Sequence, residues 1–105
     1  TWETQDVARD TAAAQAAWAQ ARIYLNDPAV DLLILDEITY AFKYHWLDLP
    51  VVLAAFARRP PRQHVILTGR AAPTALIEAA DTVSDIVAVK HAFQAGVPAM
   101  PGLEF

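Results

Sequence analysis

The sequence contains no cysteine, which excludes a disulfide framework, a zinc–thiolate site and a thiol nucleophile. Basic residues are also few: eight Lys and Arg against twelve Asp and Glu give a net charge of -4. Such a balance argues against a protein that coats nucleic acid, because phosphate contacts require a basic surface. No apolar run approaches the roughly 18–20 residues of a membrane span, and the opening residues do not show the basic and then apolar segments typical of a signal peptide. We therefore expect a cytoplasmic protein with neither a nucleic-acid nor a membrane partner.

The 105 residues are 55% hydrophobic, which is enough to bury the core of one domain. The chain opens on Thr1 and Trp2, without an initiator Met and with a large aromatic residue where a natural terminus is usually small or polar. This opening predicts that the chain is cut from a longer one.

Hydrophobic spacing predicts a first helix over residues 6–25, with Thr4 as its N-cap. Its apolar stripe consists of Val7, Thr11, Ala14, Trp18, Ala21 and Leu25. A short helix or a turn is predicted over residues 38–44, and further short helices over residues 51–58 and 73–80. The glycines and prolines of residues 91–105 predict an irregular but ordered strap instead of regular structure.

Three apolar runs predict strands, over residues 32–35, 64–68 and 86–89. The runs do not alternate with polar residues, so we expect parallel strands that are buried on both faces. Alternation of helices and strands predicts an α/β fold with an open, mainly parallel sheet and flanking helices. Three strands are few for such a sheet, which again indicates that an N-terminal part is missing.

Asp36 and Glu37 directly follow the first apolar strand, where ligands of open α/β folds bind. An apolar strand that ends in two carboxylates is typical of a Walker B segment, which holds Mg²⁺ beside nucleotide phosphates. The alternative is that Asp36 only caps the turn into the next helix.

Thr68, Gly69 and Arg70 lie at the end of the second strand, so we expect them at the same edge of the predicted sheet as Asp36 and Glu37. Glycine permits close approach of a ligand, and arginine suits a phosphate. Alternatively, Arg70 is an ordinary surface arginine. The glycine-rich loop ending in Gly-Lys-Ser/Thr that would cradle a triphosphate is absent from the sequence.

Trp2 lies outside the predicted helical stripe and is either a core or interface residue or an exposed platform for a flat ligand. His45, His64 and His91 lack metal-ligand spacing, and we interpret them as structural.

Taken together, several segments resemble ATP:corrinoid adenosyltransferases of the P-loop type, in register from Thr1 to Phe105. The segments are Thr1 to Gln5, Leu35-Asp36-Glu37, Tyr44 with Leu47, Arg59-Pro60, Thr68-Gly69-Arg70, Ile77 through Asp81, and Val89 to Val97. The resemblance implies a P-loop NTPase-like fold whose N-terminal strand and P-loop are missing here. Residues 1–105 would then be the C-terminal part of a single corrinoid adenosyltransferase domain.

The resemblance also implies a function: transfer of the 5′-deoxyadenosyl group of ATP to the Co(I) of a reduced corrinoid, with release of triphosphate. It implies Mg²⁺ or Mn²⁺ as cofactor, a homodimer, and a flavoprotein-type reductant for Co(II). Glu37 then corresponds to the metal-binding carboxylate with Asp36 beside it, Thr68 and Arg70 to cofactor-binding residues near the nucleotide, and Trp2 to the aromatic residue that packs by the corrin. The alternative is a truncated, non-catalytic corrinoid-binding or interaction module.

Overall fold

The computed structural model describes residues 2–90, with the side chains from residue 5 onward. The elements in chain order are α1 (Trp2–Leu25), β1 (Leu32–Leu35), α2 (Thr39–Lys43), α3 (Leu49–Ala57), β2 (His64–Leu67) and α4 (Thr74–Ala79). Helices therefore alternate with parallel strands, as predicted for the α/β class. The predicted strap of residues 91–105 lies outside the described residues.

Helix α1 begins earlier than the sequence predicts, because Trp2 is already helical and Thr4 is therefore not the N-cap. Only the C-terminal half of its predicted stripe packs against the rest of the fold. Ala21 and Leu25 are buried, and the Trp18 ring meets Phe56 of α3 edge-on at 5.9 Å. Val7 is 59% exposed, so the stripe does not extend to the first turns.

The turn after α1 is fixed by Gln63, which is 2% exposed. Its Nε2 donates to the carbonyl oxygens of Tyr24, Val30 and Asp27 at 2.9, 3.1 and 3.3 Å. These bonds add a side-chain donor to the turn, where the Tyr24 and Asp27 carbonyls also accept from the backbone N–H groups of Asp27 and Val30. Gln63, which directly precedes β2, thereby links the end of α1 to the start of that strand.

β1 and β2 form a two-stranded parallel sheet in which Leu32 pairs with His64 and Leu35 with Leu67. One face, with Leu33 and Leu35 of β1, packs on the main core. That core is built from the buried residues Leu25, Ile38, Phe42, Val52, Phe56 and Leu76. The inner face of the sheet thus packs on side chains from α1, α2, α3 and α4.

The opposite face of the sheet is exposed, so the expectation of burial on both faces is wrong for the part of the chain that is described. Leu32, Ile34 and Ile66 are 49%, 57% and 48% exposed. No described helix covers these side chains, although their apolar character fits a buried surface. This apolar surface of Leu32, Ile34 and Ile66 is called the open sheet face below.

The third predicted strand is also absent within residues 2–90. Residues 86–89 lie in a stretch without regular structure, and Ile86 and Val89 are 93% and 96% exposed. A strand needs a neighbour to satisfy its backbone groups, and no described strand lies beside this one. No helix of the described chain is both long and apolar enough to cross a membrane.

Candidate functional site at the strand ends

The site is built where the two parallel strands end. Leu35 and Leu67 are the last residues of β1 and β2 and are partners in the sheet, so Asp36 and Thr68 follow at equivalent positions. The backbone N–H of Thr68 donates to the Leu35 carbonyl at 3.2 Å and extends the pairing by one step. The predicted meeting of the two motifs at one sheet edge is therefore confirmed.

The hydroxyl of Thr68 joins the two motifs directly. It donates to Asp36 Oδ1 at 2.5 Å and accepts from the backbone N–H of Glu37 at 2.9 Å. A threonine hydroxyl has one hydrogen and two lone pairs, so these bonds use its only hydrogen. We call Asp36, Glu37 and Thr68 the strand-end cluster.

Asp36 is not a helix cap, so that alternative interpretation is wrong. The N-cap position of α2 is occupied by Ile38, which makes no side-chain capping bond. The Asp36 carboxylate accepts from Thr68 instead. Glu37, which lies between Asp36 and Ile38, has a φ of 61°. This left-handed conformation is uncommon for a residue with a side chain.

Gly69 allows β2 to leave the sheet close to the start of α2. Its φ is 149°, and a Cβ at this position would lie only 2.8 Å from Thr39 Cβ and Cγ2. The sequence predicted close approach of a ligand at Gly69, but the group that approaches it here is the side chain of Thr39. Arg70 follows on the surface, and within residues 2–90 it forms no ion pair.

A cavity of about 400 Å³ lies beside the strand-end cluster and is lined in part by Asp36 and Glu37. The cavity is also lined by alanines of α1, including Ala14 and Ala17, and by Trp46. Sequence reasoning did not single out Trp46. The signal that could have found it is its aromatic ring directly after a short helix that starts at the strand end.

Asp36 and Glu37 carry donor atoms of the kind that Mg²⁺ binds. Among residues 2–90, no three His, Cys, Asp or Glu side chains lie close enough together to hold a metal ion by themselves. Mg²⁺ commonly binds through one or two carboxylates together with waters and substrate phosphates. Asp36 and Glu37, both exposed, supply such a partial set.

The remaining predicted residues are not part of the strand-end cluster. Trp2 belongs to α1 two turns before Asp10, which lines the cavity, and this spacing amounts to about 12 Å along the helix axis. His45 follows α2 and His64 begins β2, and neither belongs to a metal-binding group in the described chain. His91 lies outside the described residues.

Comparison with known proteins finds relatives that match the whole chain. The family model described as ATP:corrinoid adenosyltransferase BtuR/CobO/CobP matches residues 1–105. A corrinoid adenosyltransferase of Pseudomonas aeruginosa is 53% identical over all 105 residues, which cover 52% of that protein. The corrinoid adenosyltransferase CobA of Salmonella typhimurium is 46% identical over 105 residues, with 54% of its length covered. A Sinorhizobium corrinoid adenosyltransferase is 42% identical, with 50% covered. The chain thus spans about half the length of these curated relatives.

Proposed function

Because the chain belongs to the ATP:corrinoid adenosyltransferase family, we propose that it is part of an enzyme that moves the 5′-deoxyadenosyl group from ATP to a corrinoid. Co(I) of the substrate attacks the 5′ carbon of ATP with its electron pair, and a Co–C bond forms. The C–O bond to the phosphates breaks, and its electron pair leaves with triphosphate. The observation that carries the proposal is that the family match includes the entire strand-end cluster.

The nucleophile in this reaction belongs to the corrinoid, so the protein supplies position and charge and no covalent nucleophile. Asp36 and Glu37 would hold Mg²⁺ or Mn²⁺, which neutralises charge on the leaving phosphates when bound. Arg70 is suited to the same phosphates because its guanidinium is planar and permanently charged. It lies on the surface two residues after Thr68, at the edge where both strands end.

In the full-length protein, Trp2 is proposed to lie against the corrin ring of the bound substrate. The family resemblance implies that an aromatic ring there helps to displace the lower axial ligand of cobalt. Loss of that ligand makes Co(II) easier to reduce, so a flavoprotein-type reductant could deliver the electron. A cytoplasmic homodimer remains part of the same proposal.

The rest of the sheet is proposed to come from the half of the relatives' length that this chain does not span. The open sheet face and the exposed apolar residues 86–89 are surfaces that additional strands and a helix would cover. A P-loop NTPase-like sheet would place a glycine-rich phosphate loop at the same edge as the strand-end cluster.

The test is adenosylation by the full-length protein with MgATP and chemically prereduced corrinoid. Formation of the Co–C bond is followed by absorbance, and triphosphate is quantified in the same samples. We expect the two products in equal amounts. Corrinoid binding without either product would instead support a non-catalytic corrinoid-binding module, which was the alternative from the sequence.

A further inference from the structure

Thr68 is bonded to both carboxylate-bearing residues although it lies more than thirty positions away from them in the chain. Its hydroxyl donates to Asp36 Oδ1 and accepts from the N–H of Glu37. The sequence placed Thr68 among the residues that bind the cofactor. In the structure, its single hydroxyl hydrogen is already committed to Asp36, so it has none to donate to a phosphate.

The bond between the Thr68 hydroxyl and the Glu37 N–H also restrains an uncommon backbone conformation at Glu37. With φ of 61°, Glu37 adopts a backbone state that persists only when its surroundings enforce it. The Thr68 bond restrains the N–H of Glu37, and the carbonyl of Glu37 accepts from the N–H of Tyr40 at 3.3 Å. Both peptide groups that flank the Glu37 side chain are therefore held.

The sheet does not need the Thr68 hydroxyl in order to pair. Four residue pairs, from Leu32 with His64 to Leu35 with Leu67, already set the register of β1 and β2. The backbone of Thr68 adds a further bond to the Leu35 carbonyl. What the hydroxyl adds is a fixed orientation for Asp36 and for the peptide of Glu37.

We propose that Thr68 is a positioning residue, whose hydroxyl orients Asp36 and Glu37 as a metal-binding pair without itself contacting metal or nucleotide. This inference rests on the proposed function and gives Thr68 a role distinct from that of Asp36 and Glu37, which would bind the metal. Groups that orient metal ligands in this way typically change metal affinity by 10- to 100-fold when they are removed.

The test compares Thr68→Val with Thr68→Ser in the full-length protein. Valine keeps the branched shape and removes the hydroxyl, whereas serine keeps the hydroxyl. Thr82→Val is the matched control, because Thr82 is exposed and remote from the strand-end cluster in the chain. Two quantities are measured: the Mg²⁺ concentration that gives half-maximal adenosylation, and the affinity for Mn²⁺ in the presence of ATP from the electron paramagnetic resonance signal of free Mn²⁺.

We expect Thr68→Val to raise the half-maximal Mg²⁺ concentration and the dissociation constant for Mn²⁺ by about tenfold or more, in line with loss of a group that orients a metal ligand. Thr68→Ser should stay within about twofold of the parent protein, as should Thr82→Val. The KM for corrinoid should not change, because the cluster acts on the phosphate side. If Thr68→Val does not fold, Thr68→Ala is measured in its place, with the same expectation.

Two results would overturn the proposal. A lower unfolding midpoint with unchanged Mn²⁺ affinity would make Thr68 a purely structural residue. A raised KM for ATP at saturating Mg²⁺, with unchanged Mn²⁺ affinity, would make it a direct nucleotide contact. Failure of the parent protein to adenosylate any corrinoid would count against the proposed function, and the Mn²⁺ titration would still decide the role of Thr68.

Discussion

The backbone of Gly69 lies directly against the side chain of Thr39, where the end of β2 passes the start of α2. A Cβ on Gly69 would lie 2.8 Å from both Thr39 Cβ and Cγ2, which is inside van der Waals contact. Thr39 is buried at 4% exposure and cannot easily move away. This contact brings the segment Thr68-Gly69-Arg70 against the helix that follows Glu37.

Gly69→Ala should therefore destabilise the protein, by about 1–3 kcal/mol in the free energy of unfolding, through overpacking and an unfavourable φ. Urea denaturation of the full-length protein measures the effect. Adding Thr39→Ala removes Cγ2 and Oγ1 and should recover part of the loss, because the steric component falls while the φ component stays. Equal stability of Gly69→Ala and the parent would contradict the packing described here.

Gln63 offers a second test of stability, because its buried amide donates to three carbonyl oxygens of the turn after α1. Gln63→Met keeps the length of the side chain but removes the donor, and it should cost about 1–3 kcal/mol. Gln63→Glu should also destabilise, because a carboxylate has no hydrogen to donate. The control is Gln20→Met, since Gln20 is exposed on α1. Similar unfolding midpoints for Gln63→Met and Gln20→Met would argue against the role of Gln63 in the α1–β1 turn.

The open sheet face predicts self-association when residues 1–105 are produced as a separate chain, since large apolar patches favour association. Replacing both Ile34 and Ile66 with Thr keeps the β-branched shape and should lower the molar mass measured by light scattering. The same double substitution should destabilise the full-length protein, where we expect this face to be covered. A separate chain that is monomeric at high concentration would show that the face needs no cover.

The sequence predicted the helices and the first two strands well, because each is set by local signals. Pro50 near the start of α3 and Asn26-Asp27-Pro28 after α1 are examples of such signals. It failed at residues 86–89, whose apolar character resembles that of a strand, because a strand also requires a partner that no described residue supplies. The same reason explains the open sheet face.

At the site, the sequence placed Asp36 and Thr68 at one edge, because parallel strands end together. It could not predict that the Thr68 hydroxyl bonds to Asp36 and to the Glu37 peptide, since this depends on the register between β1 and β2. It likewise missed the contact between Gly69 and Thr39, which depends on how closely β2 passes α2.

Trp2 can be tested through the oxidation state in which the corrinoid is supplied. Trp2→Ala in the full-length protein should impair adenosylation when Co(II) corrinoid is supplied with a weak reductant, and the defect should shrink with prereduced Co(I). Trp18→Phe is the contrasting variant, because Trp18 packs on Phe56 and should affect both assays equally. An equal loss in both assays for Trp2→Ala would indicate a general folding or binding role.

The central claim, that the strand-end cluster serves the phosphate side of adenosyl transfer, is tested most directly by Glu37→Gln in the full-length protein. The measurement is the single-turnover rate with prereduced corrinoid and MgATP, beside the affinity for corrinoid. By analogy with the loss of one oxyanion donor, we expect a rate about 10²–10³-fold lower with unchanged corrinoid affinity. Glu78→Gln, on exposed α4 surface, should match the parent protein. A Glu37→Gln rate equal to that of the parent at saturating Mg²⁺ would contradict the account.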